Sequence, residues 1–246
     1  MKIGFSSRMG PRTYWSEWFK ERKHFVLEIA LGKSYLSYEP ERLKKLVESL
    51  KDFDLSMHSM TTCLFSNSNN IINEAQQKML IAEMKIANLI GAKELIFHMP
   101  VDIEIQKIEN YAKKFFKTAN HFSNNFNVNL ILENNSKGSF SKEEDFTYFL
   151  EKIADINLCL DIGHLNRANY LYKIDINNFV KKLNNKIVHT HIHNNYGKSD
   201  SHNSLENGNF NYQKYLPLLK NVKKHIIETD NYKDAITTIK ILDFLK

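Results

Sequence analysis

Val128-Asn-Leu-Ile-Leu-Glu-Asn134 is followed by an apolar stripe at Phe146, Phe149, Leu150 and Ile153, and then by Asn157-Leu-Cys-Leu-Asp-Ile-Gly163. The outer segments are short runs of Leu, Ile and Val, the pattern of strands buried on both faces. The middle segment steps by three and four, as a helix with one apolar face does. Ser141 and Glu144 are spaced as a capping box that would start this helix. Together the three pieces predict a parallel strand–helix–strand crossover.

The same alternation runs in both directions. Further strand-like runs are Lys2–Ser6, Phe25–Leu31, Asp54–Ser59, Glu94–His98, Lys186–His193 and His225–Thr229. Helical stripes lie at Leu43, Leu46, Val47 and Leu50, and at Ile72, Ala75, Met79, Ala82, Ile86 and Leu89. Others lie at Ile105, Ile108, Ala112, Phe115 and Ala119, at Ile176, Phe179, Val180 and Leu183, and at Ala235, Ile236, Ile239 and Leu242. Eight strands with crossovers predict a single α/β domain over residues 1–246, a (β/α)8 TIM barrel. A doubly wound open sheet is the rival, but no Gly-rich phosphate loop follows the first strand. The longest loop, Asn194–Asn211, is rich in Asn, Ser and Gly, and loops of that length in a compact domain usually serve function.

Composition narrows the class. The 246 residues are 42% hydrophobic and 25% charged, an ordinary globular balance. No apolar run suits a membrane span, and the first residues read as a strand with no signal peptide, so a cytoplasmic protein with no membrane partner is expected. Cys63 and Cys159 make no disulfide framework. The net charge of +6 comes largely from dispersed lysines, so it permits a polyanionic partner without naming one.

The strand ends carry the chemistry. His58, His98, Glu133, Asp161, His191 and Glu228 each lie at or within two residues of the end of a predicted strand, so six of the eight deliver a ligand-type residue to the C-terminal mouth, where barrel enzymes keep their active sites. His164 follows three residues after Asp161, and Asp200 and His202 lie in the long loop. Four carboxylates and five imidazoles converging there would repel and desolvate one another without cations between them. Mixed nitrogen and oxygen donors suit Zn, with Mn or Fe as alternatives.

The pattern resembles the xylose-isomerase-like TIM barrel superfamily, and within it apurinic/apyrimidinic endonuclease family 2, the endonuclease IV-like enzymes. The resemblance is most specific at Asp161-Ile-Gly-His164 and from His191 through Asp200-Ser-His202 to Leu205-Glu-Asn-Gly208-Asn. It implies up to three zinc ions: one on His58, His98 and Glu133, a second on Glu133, Asp161, His191 and Glu228, and a third on His164, Asp200 and His202. It implies phosphodiester hydrolysis by activated water, with Glu133 and Glu228 as catalytic residues and DNA with abasic sites, or a related phosphoester, as substrate. No Ser or Cys nucleophile is required.

This sequence departs from that pattern at three points. Gly163 stands where those enzymes carry Cys, and Glu206-Asn207-Gly208 stands where they carry Gly-Glu-Gly. The chain is also shorter, which implies trimmed DNA-probing loops. The stretch Ser7–Trp15 supplies Arg8 and Arg12 as candidate phosphate contacts. His193 is expected to contact substrate or support a ligand, His189 to be a hydrogen-bonded core residue, and Glu28 to touch substrate or bond internally.

The alternative function is a sugar or sugar-phosphate isomerase or epimerase of the same superfamily, acting on a small sugar or phosphorylated substrate. It would use one divalent ion on Glu133, Asp161, His191 and Glu228, with the two glutamates shuttling a proton. His58, His98, Asp200 and His202 would then be surplus, and Gly197 stands where ketose epimerases of that group carry Arg. A multinuclear iron oxygenase and a non-catalytic nucleic-acid binder are further rivals, and metal content separates them all.

Overall fold

The computed structural model describes residues 2–7, 26–30, 40–59 and 70–244. Eight parallel strands close into a barrel in chain order, β1 (Lys2–Ser6), β2 (Val26–Ala30), β3 (Asp54–His58), β4 (Glu94–His98), β5 (Asn129–Glu133), β6 (Asn157–Asp161), β7 (Ile187–Ile192) and β8 (Lys224–Ile227). β1 pairs with β8, which closes the ring. The expected TIM barrel is therefore the observed fold.

The crossovers supply α1 (Pro40–Leu50), α2 (Asn70–Ile90), α3 (Glu109–Phe126), α4 (Glu143–Lys152), α5 (Ile162–Tyr172), α6 (Ile176–Leu183), the short α7 (Tyr212–Tyr215) and α8 (Tyr232–Phe244). Their apolar faces pack on the outside of the barrel in one large core that includes Phe97, Phe115, Phe116, Phe146, Phe149 and Phe179. T-shaped ring pairs such as Phe116–Phe149, with centroids 5.0 Å apart, hold α3 and α4 together.

Two local expectations are corrected. Ser141 does not form a capping box: its hydroxyl donates to the Gly138 carbonyl, and Lys142 sits at the N-cap of α4 without a side-chain bond. The Asp145 carboxylate instead accepts from the Phe140 amide at 2.8 Å, which secures the turn before the helix. In α2 the buried residues are Asn73, Leu80, Glu83, Met84, Ile86, Ala87 and Ile90; of the expected stripe Ile86 is buried, Met79 and Ala82 are half-buried, and Ile72, Ala75 and Leu89 are exposed. That helix is apolar on several sides, so periodicity did not select the face; Glu83 turns inward because Ser59 donates to it at 2.6 Å.

Strand alternation sends every second residue into the barrel. Inside lie Ser6, Glu28, Ser56, Glu133, Cys159, Asp161, His189, His191 and Glu228, all buried. Apolar groups inside include a small cluster of Ile96, Ile131 and Cys159, with Val26 and Ile226 meeting at Gly4. Most barrels fill this space with branched aliphatic layers. Here it is charged, and the charge rises to the C-terminal mouth.

Candidate metal centre

Strand register sets the positions. His98 pairs with Glu133, and Asp161 pairs with His191, so neighbouring strands lift donor groups to one level. Glu133 is fully buried and faces two ways. Its Oε2 lies 2.9 Å from His58 Nε2 and 3.1 Å from His98 Nε2, while its Oε1 lies 3.0 Å from His191 Nδ1. The same His191 Nδ1 is 3.1 Å from Glu228 Oε2.

Asp161 ends β6 and caps α5, its Oδ1 accepting the His164 amide at 2.7 Å. The strand expected to run to Gly163 stops short for this reason: the helix starts at Ile162. The early turn swings His164 over the mouth, where its Nε2 meets Asp200 Oδ2 at 3.0 Å. The long loop folds back on itself through paired backbone bonds between Asn194 and Asn203, each 3.0 Å. Asn194 also donates to the Leu205 carbonyl at 2.6 Å, and Asn166 on α5 donates to Asn195 at 2.8 Å. These amides hold Asp200 and His202 inward, with the His164 and His202 ring centroids 6.4 Å apart.

Among the described residues five groups of donor atoms lie within 4.8 Å of one another: His58, His98 and Glu133; Glu133, Asp161, His191 and Glu228; His164, His193, Asp200 and His202; His58, His191 and Glu228; and Cys159, His189 and His191. The structure thus brings together the nine residues expected as ligands, His58, His98, Glu133, Asp161, His164, His191, Asp200, His202 and Glu228, with His193, His189 and Cys159 beside them.

The supporting contacts fit metal ligation. A ligating imidazole normally has its other nitrogen held by a carbonyl or carboxylate. His58 Nδ1 faces the Ser59 carbonyl at 2.8 Å, His164 Nδ1 the Asn134 carbonyl at 2.8 Å, and His202 Nδ1 the Glu228 carbonyl at 2.7 Å. His98 Nδ1 faces Asn135 Oδ1 at 3.2 Å, and His191 Nε2 lies 2.8 Å from Glu28 Oε1. His58, His98 and His164 keep Nε2, and His191 keeps Nδ1, within 3.1 Å of a carboxylate oxygen. Asp200 Oδ1 is buried without a hydrogen-bond partner among the described residues, as an oxygen reserved for a cation would be.

Electrostatics agree. Burial alone would raise Glu133, but the charges of His191 and His98 hold it well below the usual carboxylate range. Burial would likewise raise Glu228, and His191 lowers it strongly. Burial would depress His58, yet Glu133 pushes it up to about 9; Asp161 and Asp200 push His164 up to about 10 against the same burial penalty. Without cations, protons on histidine balance these carboxylates. Cys159 is buried and its thiol is pushed well up by desolvation, which suits an inert core thiol.

His189 is a buried core residue, its Nε2 3.0 Å from Glu28 Oε2. Glu28 bonds internally, accepting from Ser56 at 3.0 Å. His193 is fully buried beside Asp161, Gly163 and His202, so its neighbours are candidate ligands and their supports, not open solvent. Arg8 and Arg12 lie outside the described residues. Sequence reasoning missed Asn134 and Asn135, whose side chains secure Asp161 and His98; the signal was the polar pair directly after Glu133.

Fold and site together define a (β/α)8 barrel whose mouth gathers carboxylates and histidines in ligand groups. The chain belongs to the xylose isomerase-like TIM barrel family, whose model matches residues 26–242. It is 28% identical to the uncharacterized protein MJ1311 of Methanocaldococcus jannaschii, covering 98% of this chain and 88% of that protein. In structure it is similar to a D-tagatose 3-epimerase-like protein, with 24% identity, coverage of 99% and 96%, and a TM-score of 0.76. It is similar also to endonuclease IV from Thermus thermophilus, with 16% identity, coverage of 100% and 99%, and a TM-score of 0.69. These two likenesses show the fold. Among the described residues, no helix is long and apolar enough to cross a membrane.

Proposed function

We propose that this chain is a multinuclear metal-dependent phosphodiester hydrolase resembling endonuclease IV, acting on abasic or damaged DNA or a related phosphoester. The observation that carries the reading is the third donor group, His164, Asp200 and His202, built beside the pair of groups that share Glu133. A one-ion isomerase needs only Glu133, Asp161, His191 and Glu228. The structure nonetheless commits two backbone bonds and several asparagine side chains to holding Asp200 and His202 inward.

Bound zinc, or manganese or iron, would supply charge stabilisation at the phosphoryl group and activation of water. The residues supply everything else. Glu133, split between its two oxygens, spans the first and second donor groups, and Glu228 meets the same His191 nitrogen in the second. Both stay ionised, which suits anchoring cations. The side chains of His98 and Asp200 are the most open of the nine, 22% and 25% exposed, so a phosphodiester would enter between them.

The supporting experiment is strand scission of a duplex carrying one abasic site by metal-reconstituted protein. Cleavage at that site, absent from Glu133→Gln, supports the reading. The epimerase reading keeps one observation in its favour: the group of Glu133, Asp161, His191 and Glu228 is complete by itself. Turnover of a ketose with no phosphodiester cleavage would select it.

A further inference from the structure

Gly163 and His193 form a pair that the nine-ligand scheme leaves unused. Gly163 is the second residue of α5, lying between Asp161 and His164. It is not among the glycines with positive φ, so backbone conformation does not demand it. Space does. A Cβ at this position would lie 2.0 Å from His193 Cε1, 2.3 Å from Nδ1 and 2.5 Å from Nε2. The His193 ring fills the volume that any other residue at 163 would claim, which gives a physical reason for glycine where the resemblance leads one to expect cysteine.

From that volume His193 reaches two donor groups. Its Nε2 lies 3.0 Å from Asp161 Oδ1 and 3.1 Å from Oδ2. Its ring stacks on His202, centroids 3.9 Å apart and planes within 15° of parallel. Two imidazole planes so nearly parallel do not aim their in-plane lone pairs at one ion. His193 therefore supports His202 and does not share its cation, although one of its nitrogens falls within 4.8 Å of that group.

We infer that His193, admitted by Gly163, is a positioning residue that locks the second and third metal sites to each other. Its N–H aims the Asp161 carboxylate, and its ring face holds the His202 imidazole. The inference rests on the multinuclear reading above and assigns to it a device made from this chain's own departure at Gly163.

The two contacts are separable by substitution. His193→Gln keeps a donor near the Nε2 position and removes the ring face. His193→Phe keeps a flat ring and removes the donor. Each variant of the full chain, reconstituted with zinc, is titrated with a competing chelator and its metal content measured. Loss of a supporting contact weakens a site about tenfold or more. The Gln variant should weaken the third ion alone, the Phe variant the second alone, and His193→Ala both. In an Asp200→Ala/His202→Ala background, which lacks the third site, the Gln change should become silent while the Phe change keeps its effect. Gly163→Ala should reproduce His193→Ala and add nothing to it, which decides the matter even if the larger Phe fails to fold.

Wild-type affinity at every site in His193→Ala would overturn the inference, as would equal effects of Gln and Phe at one site or additive effects of Gly163→Ala and His193→Ala. If the Asp200→Ala/His202→Ala protein kept every ion of the wild type, the multinuclear reading itself would fall. If it lost one ion while the His193 variants changed nothing, only the positioning role would fall.

Discussion

Replacing Glu133 by Gln removes one buried negative charge while keeping the volume. In the metal-free protein that charge lies within 3.1 Å of nitrogens on His58, His98 and His191. Burial would lower His58, but Glu133 pushes it up to about 9 from 6.5. At about 1.4 kcal/mol per pKa unit, this rise corresponds to on the order of 3 kcal/mol of folding stability. The folded pKa is raised, so the contribution is fully present below the unfolded value of 6.5 and is lost as pH rises through about 9. Glu228 and Glu28 share in that rise, so the expected result is that metal-free Glu133→Gln is destabilised by up to roughly 3 kcal/mol near pH 6, with the gap shrinking towards about pH 10. Urea denaturation of chelator-treated wild type and variant at the two pH values measures it. Elemental analysis of the reconstituted variant should also show depleted first and second sites. An unchanged midpoint near pH 6, or a full metal complement, would refute the shared role of Glu133.

Asp200→Ala with His202→Ala should remove one ion per chain and most phosphodiesterase activity, since the donors of the first two groups sit on or directly after barrel strands; elemental analysis and the cleavage assay check both. Glu28→Gln takes the counter-charge from His191 Nε2, 2.8 Å away, and should weaken the second site about 10- to 100-fold in chelator competition, with no change of the barrel by circular dichroism. Metal binding must displace protons, because His58 and His164 are pushed up to about 9 and 10; calorimetry near pH 7 in buffers of different ionisation enthalpy should show net proton release. Burial and neighbouring His189 push His225 down to about 4, so its unfolded form binds a proton first as pH falls. Stability should drop on the order of 3 kcal/mol between about pH 6.5 and 4, and a His225→Gln variant should lose that slope.

The barrel was legible because its strands are short, buried on both faces and separated by helix-period stripes. Each predicted strand matches an observed one to within two residues at either end, among the residues described. The convergence of the candidate ligands on one mouth was legible for the same reason, since a residue ending a barrel strand has one direction left to face. Asp200 and His202 were harder. Their inward turn depends on the Asn194–Asn203 pairing and on amide contacts to α5, which no periodicity encodes. The buried face of α2 was only partly legible, through Ile86, because its apolar residues surround the helix and Ser59 outside it draws Glu83 inward. In the sequence Gly163 is a mere departure from a pattern; only the three-dimensional fold puts the His193 ring in its place.

The most direct test is the metal count of the reconstituted chain, taken with the abasic-site assay on the same sample. The account predicts about three ions per chain, one fewer in Asp200→Ala/His202→Ala, and cleavage that tracks the full count. A single ion per chain, indifferent to Asp200 and His202 and accompanied by ketose epimerisation without phosphodiester cleavage, would contradict it.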